Sequence, residues 1–116
     1  MYWFDDVLTK QVKLQKRIKN AKYSADLVNV KDMYGAATGM MVEIGEMLQC
    51  DTRWKKEMTM SNKTPVYEHY KFIEECADVF IYLMNVLIYA GITRDEFKNA
   101  VLEKQDVVKE RFNDDI

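Results

Sequence analysis

The chain has 116 residues, 48% of them hydrophobic and 31% charged, with a formal net charge of −2. Those values suit one globular domain over residues 1–116 and exclude a disordered chain. Neither sign of charge dominates, which excludes a global pull toward nucleic acid or anionic lipid. A single Pro and four Gly are too few for a many-turned β-sandwich and suit a few long helices. The expected fold class is all-α, a bundle of four helices.

The first ten residues, MYWFDDVLTK, lack a basic segment followed by an apolar one and are not expected to be a signal peptide. A first helix is expected from about Asp5 to about Ala25, with Leu8, Gln11, Leu14, Gln15 and Ile18 on one face. Lysines and Arg17 fill the remainder. A second helix is expected from about Asp32 to Gln49, where Gly35, Ala36, Gly39 and Gly45 permit close helix packing. A polar stretch from Cys50 follows. Thr64 and Pro65 then suit the cap and first turn of a third helix, running to Tyr89 or Ala90 and stopping at Gly91. Thr93 to Glu96, TRDE, has the capping-box pattern and opens a fourth helix that reaches about Arg111.

The third helix is apolar on most of its circumference, which points to oligomerisation through it. Its run from Cys76 to Ile92 is short of a bilayer span and carries Asp78 and Asn85, so burial in protein is expected instead. Cys50 and Cys76 show no paired spacing for zinc or redox chemistry and read as reduced thiols of a cytoplasmic protein.

The chemistry-bearing pattern is acidic. EIGE in the second helix sets Glu43 and Glu46 three residues apart, and ECAD in the third does the same for Glu75 and Asp78. Side chains at that spacing point to nearly the same side of a helix. Each pair sits among apolar neighbours, so antiparallel packing would bring four carboxylates together. Four such charges repel unless cations intervene, and oxygen ligands favour a hard divalent cation, Mg²⁺ above all. The alternative is a solvated acidic face. Glu74, beside them, is unassigned.

EIGEMLQCDTRWKKE, followed by EECADVFIYLMNVLIYAGIT and LEKQDVVKERF, resembles the all-α nucleoside triphosphate pyrophosphohydrolases. That superfamily includes the dimeric dUTPases, the phage dUTPase/dCTPase-like enzymes and the MazG proteins, and the phage dUTPase-like branch is nearest. Its pattern is ExxE, a variable spacer, then ExxD, and here 28 residues separate Glu46 from Glu75. The resemblance spans roughly Gln11 to Arg111. It implies that Glu43, Glu46, Glu75 and Asp78 hold Mg²⁺, with Mn²⁺ as a possible substitute. The metals would grip a triphosphate while an activated water attacks the α-phosphorus, giving a nucleoside monophosphate and pyrophosphate. Glu43 or Glu46 is the implied proton acceptor.

The same resemblance gives substrate roles to six further residues, each with a structural alternative. Lys104 and Arg111, seven apart on the fourth helix, would neutralise phosphates or belong to a solvated mixed-charge face. Relatives often carry Asn four residues after that Lys, where this chain has Val108. Asn85, seven beyond Asp78, would contact the sugar or bond another helix. Gln11 resembles a base-reading Gln of dimeric dUTPases, or makes a structural bond. Trp54 would wall the base pocket or anchor its loop, and Lys55 would approach a phosphate. His69 is the only histidine and has no Glu three residues before it, which removes the Glu-x-x-His ligands of a di-iron bundle.

The expectation is an Mg²⁺-dependent pyrophosphohydrolase, homodimeric or homotetrameric, acting on dUTP or a related pyrimidine deoxynucleotide. A MazG-like enzyme for other or modified nucleotides and a non-catalytic helical interaction module are the alternatives.

Overall fold

The structure, a computed structural model, describes residues 2–19, 28–53 and 66–112. Four helices account for most of them: α1, Tyr2–Lys19; α2, Val30–Gln49; α3, His69–Tyr89; and α4, Arg94–Arg111. The described residues contain no strand, only an isolated antiparallel bridge between Asp51 and Tyr67. The chain is all-α, as its composition indicates.

α3 is the central helix. Its carboxyl-terminal turns bury Met84, Leu87, Ile88 and Tyr89, and Met84 is only 1% exposed. Leu8 of α1 and Ala36 of α2 join Met84, Ile88 and Tyr89 in one core cluster, with Phe4, Val7, Val12, Met33, Phe80 and Val86 packed around it. α1 and α3 run parallel and in register, because Gln11 bonds Asn85 and Gln15 bonds Tyr89 at the same sequence offset. α2 runs antiparallel to α3. The Asn29 amide at its start donates to the Tyr89 carbonyl at 2.9 Å, and near its end the Cys50 carbonyl accepts from Glu68, also at 2.9 Å.

Close approach of α2 to α3 depends on small residues at two of the four expected positions. Ala36 is buried, and a methyl on Gly39 would collide with the Tyr82 ring, whereas Gly35 and Gly45 face open space. Leu14 and Ile18 are exposed, contrary to their expected place on the buried face of α1. α3 ends at Tyr89, which bonds Gln15, so Ile18 lies about a turn beyond anything it could pack against on that helix.

Helix ends follow local chemistry except at one point. The Asn29 side chain caps α2 by accepting from the Asp32 amide at 3.1 Å, so the helix begins at Val30, two residues before the expected start. α3 closes with the Ile92 amide on the Leu87 carbonyl and the Gly91 amide on that of Ile88, and Gly91 takes φ +73°, which suits glycine. Thr93 and Glu96 form the expected capping box of α4. The exception is the start of α3. Thr64 and Pro65 lie outside the described residues, but Val66 to Glu68 are paired with Cys50 to Thr52 (Thr52 amide to Val66 carbonyl, 2.7 Å), so the helix begins at His69. The expected end of α1 at Ala25 also lies outside the described residues.

α4 stands apart. The chain bends by 117° between α3 and α4, and no residue of α4 is buried. It meets the body near its start, where Phe97 stacks on Phe4 with ring centroids 6.1 Å apart and Arg94 pairs with Asp5 at 3.6 Å. The four helices therefore do not close into a four-membered bundle within one chain. No single helix among the described residues is long and apolar enough to cross a membrane; α3 and α4 pass that test only together, across their bend.

Candidate metal centre

Glu43 follows Ala36 by seven residues and Gly39 by four, which sets it on the face of α2 that packs against α3. Glu75 and Asp78 face it from α3. One carboxylate oxygen from each of the three lies within 4.8 Å of the others. Glu43 and Glu75 are half-buried and Asp78 is exposed, so the group opens to solvent on the Asp78 side. Glu46 is exposed beside Glu43, close enough to bear on its titration, but outside the group of three.

The buried Oε2 atoms of Glu43 and Glu75 have no hydrogen-bond partner. Both are acceptors when ionised, and acceptor facing acceptor is unfavourable unless a proton or a cation lies between them. The effect on titration is plain. Glu43 is pushed from its ordinary 4.5 up to about 7, first by burial, then by the close approach of the Glu46 carboxylate, by the charges of Glu46 and Asp78, and by the close approach of the Glu75 carboxylate. Among the described residues no cation is a cause of the Glu43 shift, so neither Lys104 nor Arg111 offsets its charge.

An oxygen-only donor set with unmet buried acceptors fits a hard divalent cation such as Mg²⁺. Softer ligands are occupied nearby. The Cys76 thiol contacts the Met47 sulfur at 3.5 Å, and the buried Cys50 thiol bonds the Glu46 carbonyl at 3.5 Å, its pKa raised by burial. Both cysteines are free thiols. His69 lies 2.6 Å from the Tyr67 hydroxyl through Nδ1.

The six remaining candidates divide. Gln11 Nε2 donates to Asn85 Oδ1 at 2.7 Å, and Gln11 is only 7% exposed. The structural alternative for these two residues is thereby met by a single bond that joins them. A second bond of the same kind, from the Tyr89 hydroxyl to Gln15 Oε1, is one the sequence reasoning missed. Its signal was present: Gln15 follows Gln11 by four on one helix, and Tyr89 follows Asn85 by four on the other. Lys104 and Arg111 are exposed on α4.

Trp54 and Lys55 lie outside the described residues, but the described residues on either side of them are held together. Asp51 holds Arg53 with bonds of 2.8 and 2.7 Å, and the guanidinium sits 4.0 Å above the Tyr67 ring. That ion pair holds the Asp51 carboxyl below its usual range. Hydrogen bonds across Cys50–Thr52 and Val66–Glu68 complete the clasp. It lies at the carboxylate end of the helix pair, four residues past Glu46 and seven before Glu75.

Together these features define an all-α protein with an acidic cluster between two antiparallel helices. Compared with family models, curated proteins and solved structures, the chain finds no match in any of the three.

Proposed function

We propose that this chain is an Mg²⁺-dependent nucleoside triphosphate pyrophosphohydrolase that releases the monophosphate and pyrophosphate. The observation that carries the proposal is the meeting of Glu43, Glu75 and Asp78 with buried oxygens that lack partners. In this scheme the three carboxylates hold Mg²⁺ or Mn²⁺, with Glu46 at the rim. The cation would offset phosphate charge and acidify water. Glu43 or Glu46 would accept the proton from the attacking water, on an oxygen not engaged with the cation.

Substrate choice rests on the resemblance: dUTP or a related pyrimidine deoxynucleotide, with Trp54 and Lys55 near the base and phosphates. Lys104 and Arg111 are the cations available to the triphosphate. The proposed setting is the cytoplasm, in keeping with two free thiols, and the proposed state is a homodimer or homotetramer. The test is pyrophosphate release over a panel of nucleoside triphosphates with Mg²⁺, run beside Glu75→Gln. Release that the substitution removes supports the proposal. No release from any triphosphate, or undiminished release by the variant, rejects it.

A further inference from the structure

α3 carries a cation on the same face as its two carboxylates. Lys71 precedes Glu75 by four residues and Asp78 by seven, steps that keep all three on one side of the helix. It stands one turn nearer the clasp, about 6 Å along the axis from Glu75. The buried Cys50 thiol, at the end of α2, shares these surroundings. Burial raises its pKa; of the charges acting on it Lys71 comes first and opposes the rise, while Glu75, Glu68 and Glu46 add to it. Lys71 and two of the four motif carboxylates therefore surround one thiol.

The stability of α3 does not account for this lysine. It lies in the first turn, where a positive charge opposes the helix dipole, and no acidic residue accompanies it there. Lysine four residues before glutamate is also the weaker order for a pair on a helix surface. Among the described residues Lys71 forms no ion pair, although Glu68, Glu74 and Glu75 lie within about a turn of it. Arg53, the cation of the clasp, is engaged by Asp51 and by the Tyr67 ring. Lys104 and Arg111 stand on α4, which meets the body only near its start.

We infer that Lys71 is a phosphate-binding residue of the proposed reaction, its exposed ammonium holding the pyrophosphate portion of the triphosphate beside the carboxylate group. The inference rests on the proposed function and names a residue to which the sequence resemblance gives no role. Three carboxylates can hold a polyphosphate only through a cation, whereas an ammonium one turn away grips the anion directly. When the bond from the α-phosphorus to the bridging oxygen breaks, its electron pair stays with the pyrophosphate. Lys71 would offset the charge that collects there.

The experiment is calorimetric titration of the full chain with inorganic pyrophosphate in the presence of Mg²⁺, and with Mg²⁺ alone, beside triphosphate hydrolysis. Lys71→Met should weaken pyrophosphate binding roughly tenfold, the loss of one charge-assisted contact. Lys71→Arg should retain most of the affinity, and Lys31→Met, at the far end of α2, should leave it unchanged. Mg²⁺ alone should bind Lys71→Met no more weakly than wild type, because the variant loses a positive charge. A wild type that binds no pyrophosphate, or a Lys71→Met variant that binds it as wild type does, overturns the inference. Loss of Mg²⁺ and pyrophosphate together overturns it too, since the lysine would then act through the metal centre. Hydrolysis separates this result from the proposed function. Turnover with an unaltered pyrophosphate affinity in Lys71→Met keeps the function and removes the inference. A Lys71-dependent affinity without turnover of any triphosphate keeps the phosphate contact and removes the reaction.

Discussion

α3 sends polar side chains into both of its helix contacts, with opposite outcomes. Toward α1, Asn85 meets Gln11 at 2.7 Å and Tyr89 meets Gln15, so each donor finds an acceptor. Toward α2, Glu75 and Asp78 meet Glu43, and acceptors face acceptors. The first contact is complete as it stands. The second is complete only with a proton or a cation. Burial of a polar residue is therefore a weak sign of function, because buried polar groups are ordinarily satisfied. Unmet acceptors gathered from two helices are a stronger one.

Substitution on each side of α3 should separate the two contacts, and the largest effect is expected on activity. Glu75→Gln should lower pyrophosphate release roughly a hundredfold or more by removing one charge from the cation's ligands. It should not lower the thermal midpoint, since an amide introduces a donor where only acceptors meet. Asn85→Leu should act on stability instead. It strands the Gln11 amide in the α1–α3 contact, at a cost of about 1–3 kcal/mol, read as a lower denaturant midpoint with an unchanged slope. Destabilisation by Glu75→Gln, or none by Asn85→Leu, would collapse the distinction.

Acidity sharpens it further. Glu43 titrates at about 7 in the folded chain and near 4.5 when unfolded. Between those values the folded state binds more protons, so stability falls as pH rises through the window, and the loss is complete above it. Without divalent cations, the thermal midpoint should drop between about pH 5 and about pH 8. Mg²⁺ should restore it more at the upper value, because protons and the cation compete for the same oxygens. Glu43→Gln should flatten the profile. Asn85→Leu should lower the whole profile and keep its slope, since neither member of the amide pair titrates.

What the sequence disclosed follows the range of the interactions. The capping box at Thr93 and Glu96 and the stop at Gly91 depend on a few adjacent residues, and both form as expected. The start of α3 does not, because Val66 to Glu68 pair with Cys50 to Thr52, fourteen residues apart in the chain at their nearest, and no local pattern encodes that pairing. At the site, the spacing that puts Glu75 and Asp78 on one helix face was legible, and so was the polarity of α2 at Glu43. The place of Glu46 outside the tightest group of three was not, because it depends on where α3 lies relative to that face. The amide pairs were hidden for a related reason. Gln11 and Asn85 are each conspicuous in an apolar helix, but only the register of α1 on α3 turns two polar intrusions into one bond.

That register permits the smallest predicted effect. If Gln11 and Asn85 serve chiefly each other, the two single substitutions, Gln11→Met and Asn85→Leu, should each leave an unmet amide and each cost about 1–3 kcal/mol. The double variant removes both amides and keeps the volume nearly constant, so it should fall within about 1 kcal/mol of the wild type. Urea unfolding of the four proteins supplies the coupling energy directly. A double variant that costs the sum of the singles would mean the amides are also engaged elsewhere.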